Sequence, residues 1–262
     1  MKHLDLFSGI GGFALAASWV WQDHKILSFC EKEAFPRRVL KKHWPDVPCN
    51  EDIFTLKGDN FGAVDLITGG FPCQPFSVAG KQGGKEDDRY LWPETLRIIQ
   101  EAKPRWFIGE NVPGIINMAL DDVLASLESS GYATETFIIP ACAVDAQHRR
   151  DRVWIVANAI SDNNRESEPK SIGETEGIQK LNRVPDSSSR KPCRTSAIWE
   201  SRKNDVVYRA GDEWSVEPGM GRVAHGIPRR VDRLRGLGNA IVPQVAAVIM
   251  SGIKTIEEKI DD

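Results

Sequence analysis

Cys73 stands between two prolines in Gly69-Gly70-Phe71-Pro72-Cys73-Gln74-Pro75-Phe76-Ser77. Pro72 and Pro75 fix φ on either side and discourage regular structure, which sets the thiol on a rigid loop. An isolated cysteine is ordinarily a small buried hydrophobe. A nucleophilic one needs this kind of fixed exposure and a nearby positive charge to favour the thiolate. Gln147-His148-Arg149-Arg150-Asp151-Arg152 offers such charge, unless it is a solvated loop with internal ion pairs. Glu110, in Glu110-Asn111-Val112-Pro113-Gly114, is either a solvated loop carboxylate or an acid opening on the same crevice. The run Ser8-Gly9-Ile10-Gly11-Gly12 makes a tight strand-to-helix turn or a cofactor cradle; it departs from G-x-G-x-x-G, so a pyrophosphate ligand does not follow. Glu31, at the end of the next apolar run, is placed to hydrogen-bond a ribose.

The elements that must position these groups read as short apolar runs and amphipathic stretches. Strands are expected over residues 2–7, 25–29, 64–68, 105–108, 134–139 and 153–156, and helices over 13–21, 34–43, 91–102, 120–130 and 243–253. Strands alternating with helices imply an α/β fold with a mostly parallel sheet covered on both faces. In such sheets ligands bind beyond the carboxyl ends of the strands, and that is where the glycine turn, Glu31, the Cys73 segment and Glu110 all fall. Residues 161–204 are rich in Ser, Asn, Glu, Arg and Lys and poor in large apolar side chains, so a loop-rich insertion is expected there.

Composition narrows the class. With 262 residues, 41% hydrophobic and 27% charged, the chain can bury a sizeable core and is neither collagenous nor wholly disordered. The longest apolar run is read at residues 13–21, well short of the roughly 20 residues that span a bilayer, so no membrane partner is expected. Asp5 and the glycines after it interrupt any signal-peptide pattern. The five cysteines form no C-x-x-C pair, which suggests neither a disulfide framework nor a metal site and fits a reducing cytoplasm. Net charge is -3, yet residues 180–235 hold thirteen basic against seven acidic side chains, a basic stretch of about +6 in an otherwise acidic chain.

Taken in order, Asp5-Leu6-Phe7-Ser8-Gly9-Ile10-Gly11-Gly12, Gly70-Phe71-Pro72-Cys73-Gln74-Pro75-Phe76-Ser77, Glu110-Asn111-Val112 and Gly238-Asn239-Ala240-Ile241-Val242-Pro243 resemble the cofactor, nucleophile, acid and C-terminal motifs of DNA (cytosine-5)-methyltransferases. The resemblance implies a Rossmann-like S-adenosylmethionine-dependent methyltransferase fold with a small, irregular C-terminal recognition region. Residues 1–157 would form the catalytic and cofactor-binding domain, 158–227 a polar target-recognition region, and 228–262 a segment returning to the first. It implies that Phe7, Gly9 and Gly12 shape the S-adenosylmethionine pocket, that Glu31 binds the ribose, that Asp52 and Ile53 meet the adenine, and that Pro72, Leu91, Asn239 and Ile241 complete the pocket. Cys73 would be the nucleophile toward cytosine C6, Glu110 the proton donor to the ring, and Arg150 with Arg152 a cationic clamp.

The family's Gln-x-Arg-x-Arg pattern fits as His148-Arg149-Arg150-Asp151-Arg152, which keeps both arginines; sliding it to Gln147 would place Arg149 in the clamp and lose Arg152. Lys32 stands where the family often carries an apolar side chain against the adenine, and residues 229–234 run almost directly into Gly238-Asn239 where the family usually has a longer connection. The implied activity is methyl transfer to C5 of a flipped-out cytosine in duplex DNA. The rivals are the same chemistry on transfer RNA and a catalytically silent DNA-binding relative. A cytoplasmic monomer of bacterial or phage origin, with a cognate restriction endonuclease as a companion, completes the expectation.

Overall fold

The structure, a computed structural model, describes residues 1–72, 90–160 and 230–261. Seven strands form one sheet: β1 (Lys2–Leu6), β2 (Lys25–Cys30), β3 (Cys49–Asn50), β4 (Leu66–Gly69), β5 (Trp106–Asn111), β6 (Tyr132–Pro140) and β7 (Asp151–Ala159), in the order β3-β2-β1-β4-β5-β7-β6. Strands β1 to β5 pair in parallel, while β7 runs antiparallel to both of its neighbours. The connection from β6 to β7 explains the reversal. It contains only a short 3-10 turn, Ala141–Val144, before the chain re-enters the sheet at Asp151, too little for the dozen or more residues a parallel crossover requires. Strand order reverses between β1 and β4, and that switch point is where an open α/β sheet presents its ligand crevice.

Helices α1 (Gly12–Val20), α2 (Ala34–His43), α3 (Trp92–Ala102), α4 (Leu120–Ser129) and α6 (Pro243–Asp261) flank the sheet, and α5 (Arg230–Asn239) packs against α2. His3, Leu4, Asp5 and Leu6 are all fully buried, as befits a central strand covered on both faces. One face packs Leu4, Leu6, Ile67 and Phe107 against Ile98 and Ile99 of α3 and Val123 and Leu127 of α4. The other packs Leu66, Ile108 and Trp154 against Phe13, Ala16 and Ala17 of α1 and Val245, Ala246, Met250 and Ile253 of α6.

Residues 230–239, for which no element was expected, form α5; Gly236 and Gly238 inside it mask its helical character, and a Cβ at Gly236 would lie 3.2 Å from Phe35 Cε1 on α2. Beyond the apolar run expected at 13–21, one helical stretch among the described residues, Gly236–Lys259, is long and apolar enough to cross a membrane by length and composition. Here α6 uses that character to bury Val245, Ala246, Ala247, Met250 and Ile253.

A buried polar chain threads the centre of the sheet. Thr68 Oγ1 donates to Asp5 Oδ1 at 2.6 Å and lies 2.7 Å from His3 Nε2, while His3 Nδ1 lies 3.0 Å from His24 Nε2. All seven strands and six helices among the described residues belong to one compact unit. The expected recognition region, 158–227, lies outside the described residues apart from 158–160.

Candidate active site

The first turn is built from unusual backbone. Phe7, at φ 51, occupies the left-handed region without being glycine, and Gly9 (φ 52) and Gly11 (φ 88) follow it there. A non-glycine residue in that region costs on the order of 1 kcal/mol and is found where surrounding structure enforces it. Ser8 does so here: its Oγ donates to Asp5 O at 2.6 Å, and Gly11 N donates to Ser8 O at 2.9 Å. A Cβ added at Gly9 would meet nothing within 4 Å, so the missing side chain leaves open space above the turn. At Gly12 a Cβ would stand 2.6 Å from Ile241 Cγ1, so glycine there lets the segment between α5 and α6 close on the start of α1.

Glu31, just beyond β2, ties the turn to the neighbouring strand. Its Oε2 accepts from Gly9 N at 2.8 Å and its Oε1 from Glu33 N at 2.7 Å. Burial pushes its carboxyl up from the ordinary range, and those two amides oppose the shift.

Glu110 and Asn111 are the last residues of β5, not a loop after it. Arg152, near the start of β7, donates from Nε to Glu110 Oε1 at 2.7 Å, with side-chain exposures of only 21% and 12%. Burial pushes the Glu110 carboxyl up, and the Arg152 and Arg150 guanidiniums pull against it without reversing the direction. A Cβ at Gly70 would come within 3.2 Å of Glu110 Oε2; glycine there keeps the second oxygen uncrowded. Arg150 turns inward to Gly238 and Ala240, while Arg149 pairs with Asp151 at the surface, Nε to Oδ2 2.9 Å.

Of the residues singled out in the sequence, Phe7, Gly9, Gly12, Glu110, Asn239 and Ile241 line one pocket. Ser8, Ile10, Phe13, Gly70 and Ala240 line it too, although they were given no role; the doubled glycine before Phe71 was the available signal for Gly70. Glu31 borders the pocket through its bond to Gly9. Asp52, Ile53, Pro72 and Leu91 are not among its lining residues. Asp52 Oδ1 instead accepts from Phe54 N at 3.0 Å, and Ile53 is a core residue beside Leu56 and Trp92. Leu91 N donates to Pro72 O at 3.3 Å, and Asn111 Nδ2 donates to Phe71 O at 2.9 Å, so the chain is anchored immediately before Cys73. Cys73 itself lies outside the described residues. Among the described residues no group of three or more His, Cys, Asp or Glu side chains is arranged to hold a metal ion.

A sheet of this order, with a glycine turn after its first strand, an acid after the second and a half-buried Glu–Arg pair across β5 and β7, has the architecture of Rossmann-like methyltransferases. Two solved structures share the fold. The DNMT2 of Spodoptera frugiperda superposes with a TM-score of 0.53 at 24% identity, covering 64% of this chain and 51% of that one. The Dnmt2 methyltransferase of S. pombe superposes with a TM-score of 0.53 at 21% identity, covering 65% and 57%. Residues 1–214 match the family described as C-5 cytosine-specific DNA methylase, and the chain belongs to that family. Similar relatives include the Type II methyltransferase M.HgiCII of Herpetosiphon aurantiacus, 33% identical over 163 residues, which are 59% of this chain and 36% of the relative. The Type II methyltransferase M.NgoMIV of Neisseria gonorrhoeae is 31% identical over 183 residues, 65% of this chain and 58% of the relative. The match thus spans between about a third and three fifths of the length of these curated relatives.

Proposed function

We propose that this protein transfers a methyl group from S-adenosylmethionine to C5 of a cytosine in duplex DNA through a covalent Cys73–C6 intermediate. The observation that carries the reading is Glu110, paired with Arg152 and lining one pocket with the glycine turn, in a chain that belongs to the cytosine-C5 family.

The residues present fit the cofactor. A cradle that a side chain at Gly9 would fill stands open, and Glu31 keeps a free lone pair on each oxygen for ribose hydroxyls even while accepting two amides. Phe7, Gly9, Gly12, Asn239 and Ile241 would hold it, with Glu31 at the ribose. When bound, S-adenosylmethionine supplies an electrophilic methyl group on a sulfonium centre.

Cytosine C5 is too weak a nucleophile to take that methyl directly. The Cys73 thiolate forms an Sγ–C6 bond, pushing an electron pair toward C5 and N3. Glu110, whose carboxyl is pushed up by burial, would protonate N3, and Arg152 would offset charge on the O2 side. C5 then takes the methyl as the sulfonium–methyl bond breaks and S-adenosylhomocysteine is left. Loss of the C5 proton to a base reopens the C5–C6 double bond and expels Cys73 as the thiolate. C6 can reach a thiol on the protein only after the base leaves the stack, so flipping is part of the reading. Residues 158–227 would read the target and the basic stretch 180–235 would meet phosphates. The Type II names of the relatives support a modification role beside a cognate endonuclease, in the cytoplasm where such DNA lies.

The test is incubation with labelled S-adenosylmethionine and either duplex DNA or transfer RNA, with Cys73→Ser in parallel. Label is expected in DNA and absent with Cys73→Ser. Label confined to RNA would replace the substrate. Label in DNA that survives Cys73→Ser would remove the nucleophile. DNA carrying 5-fluorocytosine should trap a stable adduct, since fluorine cannot leave as a proton; binding without trapping would point to a silent binder.

A further inference from the structure

Arg150 was grouped with Arg152 as a clamp on the base, yet the two side chains face different partners. Arg152 holds Glu110. Arg150 donates from one terminal nitrogen to Gly238 O at 2.7 Å and to Ala240 O at 2.8 Å, the two carbonyls that flank Asn239. These carbonyls end α5, where the last turn of a helix leaves its C=O groups without intrahelical partners and where the dipole favours a cation. The backbone of Arg150 pays for this reach with φ 37, a left-handed conformation in a residue that is not glycine. The strain persists because Ala141 N donates to Arg149 O at 2.6 Å and to Arg150 O at 3.3 Å, fixing the chain just ahead of β7. On the far side of the gripped corner, Asn239 and Ile241 line the pocket, and Ile241 reaches the glycine turn at Gly12.

We infer that Arg150 is a positioning residue: its guanidinium latches the 238–240 corner so that the pocket wall of Asn239 and Ile241 is held in register with the Glu110–Arg152 pair two residues along β7. The chain between β7 and α5 is a long polar insertion, and within the corner, with glycines at 236 and 238, the local backbone tie is the 3.3 Å bond from Ala240 N to Leu237 O. The inference rests on the methyltransferase reading for what fills the pocket, but its core claim concerns the corner alone.

Two variants test it, Arg150→Gln and Arg150→Lys, each first shown by circular dichroism and thermal melting to be folded. The Gln variant should raise KM for S-adenosylmethionine and Kd for S-adenosylhomocysteine measured without DNA by roughly 10-fold, with a much smaller change in kcat. The Lys variant, which keeps the cation and its donors, should recover part of that loss. Amide hydrogen exchange should quicken over residues 237–242 in the Gln variant and stay unchanged over 106–111. A fall in kcat of roughly 100-fold with cofactor affinity intact would place Arg150 on the reacting base and overturn the inference. Unaltered exchange at the corner would overturn it as well. If the Gln variant does not fold, the same readouts on the Lys variant decide. Wild-type protein that binds S-adenosylhomocysteine yet methylates no nucleic acid would sink the proposed activity, whereas the exchange measurement would still judge the latch.

Discussion

Asp5 sits at zero exposure on β1 with Oδ1 bound by Thr68 and Oδ2 without a hydrogen-bond partner, and burial raises its pKa from 3.8 to about 7. Its stabilising contribution is therefore present in full at low pH and is lost as pH rises through 7, a span worth roughly 4 kcal/mol at the upper end. His3 and His24 act in the opposite sense. Burial lowers both, His24 to about 4, so their contribution is present above 6.5 and lost as pH falls. The slopes oppose one another between about 4 and 6.5, and of these three groups Asp5 alone continues to titrate from there to about 7. Thermal melts from pH 6.5 to 8.5 should show the wild type losing the last of this stability up to about pH 7 and levelling above it, while Asp5→Asn stays flat; parallel curves would mean that Asp5 does not titrate there. Glu110 carries the corresponding prediction for turnover. Its raised pKa predicts that kcat declines on the alkaline side, and Glu110→Gln should lower kcat by about 10²–10⁴-fold and abolish that limb. A pH profile for the Gln variant that matches the wild type would remove Glu110 as the proton donor.

Elements were legible where pattern alone decides them. The apolar runs at 25–29 and 64–68 and the amphipathic stretch at 34–43 correspond closely to β2, β4 and α2. The strand expected over 2–7 stops at Leu6 because Phe7 turns left-handed, a constraint set by Ser8 and Asp5 that no local preference announces. In β5 the apolar run ends at Ile108, but pairing of Gly109 with Ile155 and Glu110 with Trp154 carries the strand on, and only tertiary partners could show this. β3, two residues long, offers too little pattern to find. Of the site, the glycine turn, Glu31 and Glu110 were readable from type and spacing, whereas the contact of Gly12 with Ile241 joins positions too distant in sequence to foresee. At this scale α1 depends on Gly11, its left-handed N-cap, where a Cβ would stand 2.6 Å from Trp44 Cζ3. Gly11→Ala should cost about 2–4 kcal/mol by combining backbone strain with overpacking, read as a lower denaturant midpoint. A midpoint within error of the wild type would contradict that packing.

The whole molecule joins an overall charge of -3 to a basic stretch of about +6 over residues 180–235. If that stretch meets phosphates, affinity for DNA should fall steeply between roughly 50 and 200 mM salt, while affinity for S-adenosylhomocysteine should barely change. Titrations at several salt concentrations check this, and a flat response would take the stretch out of the interface. One face of the sheet, meanwhile, is sealed by α6, whose Val245, Ala246, Met250 and Ile253 lie against Phe13, Ala17 and Trp154. During synthesis, a ribosome that has delivered all seven strands of this sheet still leaves the part of that surface not covered by α1 greasy and bare. The nascent chain must therefore wait, exposed to proteases and chaperones, until residue 253 clears the exit tunnel and the last wall of its interior can be set.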